Sequence, residues 1–152
     1  MTRYTAGKEA GIARILGLDV GEKRIGVAVS DPQGLIATPV AVIDRVEATS
    51  DVMAILRLVR QYEAERIVVG LPRSMDGSIG PQAQRVQGFA MMLAGHSEVP
   101  VEHWDERLST VAAERMMADA GLKAAKRKAK RDAVAAAFIL QGYLDRGQGP
   151  GP

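Results

Sequence analysis

Hydrophobic residues change their spacing partway along the chain, and this change restricts the folds that the chain can adopt. The first part contains three short apolar segments with strand-like spacing, at residues 13–19, 24–30 and 36–43. In the second segment, Ile25, Val27 and Val29 alternate with smaller residues, which is typical of a strand with two different faces. The short turn between the first two segments predicts an antiparallel hairpin. Pro39 in the third segment favours an edge strand or a bulge.

Helical spacing alternates with single strands in the rest of the chain. The first helix has an apolar stripe on one side and is predicted to begin at a cap, either Ser50 or Asp51. The second is predicted over residues 81–93, starting with Pro81 and ending before Gly95. Strands are predicted at residues 66–71 and 99–106, and further helices from residue 109 or 110 to 121 and over residues 131–144.

This order of elements predicts the fold class. Three antiparallel strands followed by two parallel strands with crossover helices indicate an α/β fold with a mixed five-stranded sheet and helices on both faces. A chain of 152 residues fits a single domain. We expect an ordered core over residues 13–145, with flexible ends at 1–12 and 146–152. Functional residues are expected at the carboxyl ends of the strands.

The composition excludes several classes of protein. The chain has no cysteine, which rules out disulfides and thiolate metal sites. It has no apolar stretch near the roughly 20 residues that a membrane span requires, so no membrane partner is expected. The first fourteen residues lack the apolar region of a signal peptide. These features predict a cytoplasmic protein.

Acidic residues occur at three places where strand ends and a helix start could bring them together. Asp19 ends the first strand, Asp105 and Glu106 end the fifth, and Asp132 opens the last helix. Each has an ordinary structural interpretation, because aspartate is common in turns, in exposed positions and in first helical turns. Successive strand residues face opposite sides, so only one of Asp105 and Glu106 can share a face with Asp19. The alanines after Asp132 would let its helix pack close to the sheet.

Taken together, the acids predict a metal centre. Carboxylates from separate elements are suitable ligands for a hard divalent cation. The absence of cysteine and the presence of only two histidines favour Mg²⁺ or Mn²⁺ over zinc. Two such ions about 3.5–4 Å apart can activate water and stabilise the leaving oxygen of a phosphodiester.

Basic residues near Asp132 predict a nucleic-acid partner. The net charge of +2 is too small to indicate one, but six basic residues and no acidic residue lie between positions 123 and 131. Such a segment would attract a phosphate backbone, although solvated basic loops are also common. The residues predicted to contact phosphate are Lys126, Arg127, Lys128 and Arg131 in this segment, and Arg24, Arg73, Ser74 and Arg107 in or beside the turns near the acids.

Four motifs resemble those of the YqgF/RuvX family, which is related to the RuvC Holliday-junction resolvases. They are GLDVGEKRIGVAVSD, VVGLPRSMDGSIGPQA, DERLST and KRKAKRDAVAAAFILQGYL, and the resemblance covers residues 14–144. It implies an RNase H-like fold, a cytoplasmic bacterial location and metal-dependent endonuclease activity, with Asp19, Glu106 and Asp132 as catalytic acids and metal ligands. It also implies maturation of the 5′ end of small-subunit ribosomal RNA or resolution of junctions. The chain departs from RuvC after the fourth strand, where residues 70–72 are Gly-Leu-Pro instead of an acid.

Three functions remain open from the sequence. The first is a nuclease acting on structured RNA or branched DNA. The second is a nucleic-acid-binding module of the same fold with little or no catalytic activity. The third, a nucleotide-binding fold of the sugar kinase and actin group, needs two domains, and 152 residues cannot supply both. A junction resolvase would be a homodimer, since two symmetric cuts need two sites.

Overall fold

The computed structural model of the chain describes residues 14–73, 76–105 and 131–146. These ranges contain five strands and three helices. The strands are β1 (Arg14–Val20), β2 (Arg24–Ser30), β3 (Ala37–Asp44), β4 (Ala64–Leu71) and β5 (Val101–Asp105). The helices are α1 (Ala48–Tyr62), α2 (Pro81–His96) and α3 (Arg131–Asp145).

The five strands form one mixed sheet in the order β3-β2-β1-β4-β5. β1 pairs with β2, and β2 with β3, in antiparallel fashion, while β1 pairs with β4 and β4 with β5 in parallel fashion. The predicted fold class is therefore confirmed. β3 is an edge strand, and its register against β2 shifts between Val27 and Ala28, where Val27 is opposite Ala41 and Ala28 opposite Pro39. Pro39 is predicted to lie in an edge strand or at a bulge, and the structure shows both.

Alternation along the strands divides the core into two parts. Ile25, Val27 and Val29 belong to the larger cluster, which includes buried residues of α1 and α2. Ala28 belongs to the smaller cluster on the other face, with Leu140 of α3. The helices consequently cover both faces of the sheet. Among the described helices, α1 and α2 cover one face and α3 covers the other.

Two predicted helix boundaries are wrong. α1 begins at Ala48 after Glu47, and neither Ser50 nor Asp51 caps it. Asp51 lies within the first turn, where its buried side chain accepts a hydrogen bond from the backbone N–H of Val46. α2 continues through Gly95 to His96. A glycine with open space around it is tolerated in a helix, and extended backbone at Ser97 ends α2.

Some predictions concern residues outside the described ranges. They include the helix predicted from Ser109 or Thr110, and most of both chain ends. Within the described part, no helix combines the length and apolar character needed to cross a membrane.

Candidate functional site

Asp19 and Asp132 lie on the same face of the sheet. Leu18 and Val20, the neighbours of Asp19 in β1, are buried in the core cluster of α1 and α2. Asp19 therefore points to the opposite face, which α3 covers. Asp132 is the second residue of α3. The structure brings these two acids together near the carboxyl end of β1, close enough for the negative charge of Asp132 to raise the pKa of Asp19.

Glycine makes this close approach of α3 possible. Gly26 of β2 is the cross-strand partner of Asp19. A Cβ atom placed on Gly26 would lie 1.9 Å from the backbone oxygen of Asp132, a distance that no real contact allows. Further along α3, a Cβ on Gly17 would lie 2.7 Å from the Cβ of Leu140. The two glycines set the height of α3 above the sheet and so place Asp132 beside Asp19.

The electrostatic environment of Asp19 is unfavourable to its charged form. Partial burial raises the pKa of the Asp19 carboxyl from 3.8 to about 6, with a smaller contribution in the same direction from the charge of Asp132. Strong perturbation of an acid by burial and by a like charge is typical of functional sites. The fold therefore holds two carboxylates together at a cost in stability.

Arg24 partly compensates this negative charge. Its Nε donates a hydrogen bond of 2.7 Å to Oδ2 of Asp132, and the side chains of Arg24 and Asp132 are 45% and 32% exposed. This contact raises the pKa of Arg24, mainly through the hydrogen bond. The sequence predicts Arg24 as a phosphate contact, and the structure places it at the site with its guanidinium directed to Asp132.

Asp105 lies on the other side of β5. Trp104 packs with the cluster of α3, so the next residue, Asp105, faces the side of α1 and α2. The carboxylate of Asp105 is 3.7 Å from NH1 of Arg73. This agrees with the expectation that one of the two consecutive acids pairs with a basic neighbour, and it places Arg73 beside Asp105.

Several predicted site residues are outside the part of the chain that the structure describes. They are Ser74, Glu106, Arg107, Lys126, Arg127 and Lys128. Arg131 begins α3, but its side chain is not described.

The described acids fit part of a cation site. Asp19 and Asp132 supply oxygen donors on one face, and their mutual repulsion would be relieved by a divalent cation. Among residues 14–73, 76–105 and 131–146, no three acidic or histidine side chains are grouped closely enough to hold a metal ion. A complete site thus requires ligands beyond this pair.

The sequence prediction missed residues that support the site without being candidate ligands. The sequence pattern predicts Gly26 only as a small residue in an alternating strand, although its position opposite Asp19 in the predicted hairpin indicates close packing there. The sequence assigns no role to Arg45 and predicts Asp51 only as a helix cap, yet Arg45 binds Asp51 and contacts the turn that follows Asp19. An arginine just after a strand is too common to identify such a contact.

The chain is similar to curated bacterial proteins over most of its length. One from Moorella thermoacetica, named "Putative pre-16S rRNA nuclease", is 52% identical over 133 residues, which is 88% of this chain and 95% of the relative. One from Clostridium perfringens with the same name is 50% identical over 133 residues, 88% of this chain and 97% of the relative.

Two solved structures share the fold at low sequence identity. T. thermophilus RuvC in complex with a Holliday junction has a TM-score of 0.55 and 16% identity, covering 90% of this chain and 96% of RuvC. The fowlpox virus resolvase bound to junction DNA has a TM-score of 0.55 and 13% identity, covering 90% of this chain and 99% of the resolvase. The family whose description is RuvX, Holliday junction resolvase, matches residues 13–146. The chain therefore belongs to the RuvX family.

Proposed function

We propose that this protein is a divalent-metal-dependent endonuclease that hydrolyses phosphodiesters in structured nucleic acid. The observation that carries the proposal is the convergence of Asp19 and Asp132 on one face, where burial and like charge raise the pKa of Asp19 to about 6. A packing arrangement that forces two acids together is costly unless a cation or a reaction uses them. The RuvX family description supports a nuclease.

Asp19, Glu106 and Asp132 are the proposed ligands of Mg²⁺ or Mn²⁺, with a two-ion centre expected. Glu106 follows Asp105, which faces away from α3, so a strand continuing with the same alternation would direct Glu106 to the face of Asp19. When bound, such ions activate the attacking water and stabilise the leaving oxygen.

Basic residues hold the substrate in this proposal. Arg24 is next to Asp132 and exposed enough to reach a phosphate. The remaining proposed contacts are Arg73, Ser74, Arg107, Lys126, Arg127, Lys128 and Arg131. Contacts of this kind bind the backbone of nucleic acid without reading its bases, so shape would determine the choice of substrate.

The substrate we favour is the precursor of 16S ribosomal RNA, processed at its 5′ end in the cytoplasm. Relatives about half identical over nearly their whole length carry that name. A Holliday junction is the second candidate, because RuvC and the fowlpox resolvase share the fold and are seen with junctions. At the end of β4, where the resemblance to RuvC implies an acid, this chain has Gly70, Leu71 and Pro72, so we expect its site to differ from that of RuvC. A junction resolvase would act as a homodimer.

The test uses purified protein with labelled pre-16S RNA and a labelled four-way DNA junction, each with Mg²⁺, Mn²⁺ or EDTA. We expect metal-dependent cleavage that is lost in Asp19→Asn, which removes a ligand charge at nearly constant volume. Glu98→Gln, at an exposed position between α2 and β5, is the matched control and should cleave normally. Binding of either substrate without cleavage under all metals would contradict the proposal and favour a non-catalytic binding module. Cleavage by Asp19→Asn at the wild-type rate would exclude the proposed site.

A further inference from the structure

Arg45 contacts the turn between β1 and β2 from the face opposite the acids. NH1 of Arg45 donates a hydrogen bond of 2.9 Å to the backbone oxygen of Gly21. The backbone N–H of Arg45 donates another of 2.9 Å to the oxygen of Lys23. Arg45 therefore contacts both ends of a turn that lies more than twenty residues away in sequence.

The guanidinium of Arg45 is itself fixed by neighbouring side chains. Its Nε is 3.2 Å from Oδ2 of Asp51, a residue of α1 that is only 2% exposed. The other carboxylate oxygen of Asp51 accepts the N–H of Val46 at 3.1 Å. The guanidinium carbon of Arg45 lies 4.9 Å from the centre of the Phe89 ring in α2. Two helices thus hold one donor group against the turn.

The ion pair between Arg45 and Asp51 is expected to contribute little net folding free energy. Asp51 is buried and the side chain of Arg45 is only 24% exposed. Removing such charges from water costs much of what their attraction returns, so apolar residues would serve a core equally well. A planar guanidinium, however, can bind a carboxylate and a carbonyl at the same time in fixed directions. The geometry of Arg45 therefore favours a role in positioning the turn.

The turn carries two residues of the candidate site. Asp19 lies two positions before Gly21, and Arg24 lies three positions after it. The turn is tight, because the N–H of Gly21 donates to the oxygen of Arg24 at 2.9 Å and a Cβ on Gly21 would lie 2.8 Å from that oxygen. Movement at Gly21 would consequently shift both Asp19 and the Arg24 contact with Asp132.

We propose that Arg45 is a positioning residue of the nuclease site, which holds the β1–β2 turn so that Asp19 and Arg24 keep their geometry relative to Asp132. The expected effect of Arg45 on cleavage rests on the proposed function. The expected effect of Arg45 on the turn does not, because it can be measured in the protein without metal or substrate.

The principal variant is Arg45→Lys. Lysine keeps the positive charge beside Asp51 but lacks the planar, rigid donors with which Arg45 binds Asp51 and the Gly21 oxygen in fixed directions. Arg45→Met, which removes the charge, is the stronger variant. Arg85→Met is the matched control, because Arg85 also contacts this turn, but only through the exposed side chain of Glu22 at 3.3 Å.

Three readouts are compared. Hydrogen exchange of the Gly21 N–H without metal, and kcat with KM for cleavage, are measured at a temperature well below unfolding. The third readout is the Mn²⁺ concentration that gives half of the maximal rise in Tm. In Arg45→Lys we expect the Gly21 N–H to exchange about 10-fold faster. We also expect a Mn²⁺ midpoint 10- to 100-fold higher, or a kcat 10- to 100-fold lower, as for residues that orient metal ligands. The KM should be nearly unchanged. Arg45→Met should show larger effects, and Arg85→Met should match the wild type.

Wild-type values of Gly21 exchange in Arg45→Lys and Arg45→Met would overturn the inference. So would faster exchange with unchanged Mn²⁺ midpoint and kcat, because the site would then not depend on the turn. A loss of cleavage without faster exchange would overturn it as well. If the wild-type protein cleaves no substrate, the proposed function fails, and the exchange and Mn²⁺ measurements still decide the role of Arg45.

Discussion

Replacing Asp19 by asparagine should make the protein more stable while it destroys activity. Asp19 is held in a partly buried position near Asp132, and its pKa is raised from 3.8 to about 6. Above pH 6 the folded protein must therefore carry a charge that its surroundings disfavour. Asparagine has nearly the same shape and carries no charge, so the variant avoids this cost.

The size of the effect follows from the raised pKa. At about 1.4 kcal/mol for each pKa unit, the change from 3.8 to about 6 corresponds to at most about 3 kcal/mol. Solvent screening of a partly exposed group reduces this, so we expect a gain of about 1–2 kcal/mol. For a chain of this size that gain raises Tm by roughly 3–8 °C.

The sign of the pH dependence is also determined. Between pH 3.8 and about 6 the folded protein binds more protons at Asp19 than the unfolded chain does, so this residue lowers stability as the pH rises. The advantage of Asp19→Asn should consequently be absent near pH 4, grow up to about pH 6 and remain constant above it. A group with a lowered pKa would give the opposite trend.

Urea unfolding in EDTA between pH 4 and pH 8 measures this difference. Trp104, the single tryptophan, provides the fluorescence signal, and Glu98→Gln serves as the control for removal of an exposed charge. Added Mn²⁺ should stabilise the wild type, by about 2.7 kcal/mol at 100 times its Kd, and should have little effect on Asp19→Asn. A variant less stable than the wild type at pH 7.5 in EDTA, or a difference that does not vary with pH, would refute the reasoning.

Two further predictions test the close packing of α3 and the basic segment. Gly26→Ala should lower the free energy of unfolding by about 1–3 kcal/mol or more, because its Cβ would lie 1.9 Å from the backbone oxygen of Asp132. Gly88→Ala, on the open side of α2, should raise it by about 0.5–1 kcal/mol, and equal effects in urea unfolding would contradict the packing argument. Replacing Lys126, Arg127 and Lys128 with alanine should weaken nucleic-acid binding and reduce the slope of log K against log salt by up to about 3; an unchanged slope would show that this segment does not contact phosphate.

The features predicted correctly from the sequence are those that local spacing determines. The alternation of Ile25, Val27 and Val29 indicates a two-faced strand, and these residues lie on one side of the observed sheet. Pro39 cannot donate to a sheet ladder, and its strand lies at the edge with a register shift. Element order then leaves few topologies, so the mixed sheet could be predicted without knowledge of distant contacts.

The features that the sequence could not provide depend on contacts between distant residues. Asp51 is an ordinary capping residue by type, and its buried position within α1 is explained by two partners outside the helix, the side chain of Arg45 and the backbone N–H of Val46. The orientation of Asp105 depends on where Trp104 packs, which is decided by α3. Propensity and spacing describe a residue's own element, whereas these side chains are placed by other elements.

The position of Arg24 connects the geometry of the site to its proposed chemistry. Arg24 is predicted to bind phosphate, yet its guanidinium donates to Asp132 at 2.7 Å. The two roles are compatible because the ion pair is partly exposed, and such pairs contribute little net stability. Exchange of a carboxylate for a phosphate partner is therefore easy at this position, whereas Asp19, partly buried on a central strand, has no such freedom. Asp19 and Arg24 lie on either side of one tight turn. In the proposed function the turn fixes the backbone of both residues, so Asp19 stays in place and only the side chain of Arg24 exchanges Asp132 for a phosphate.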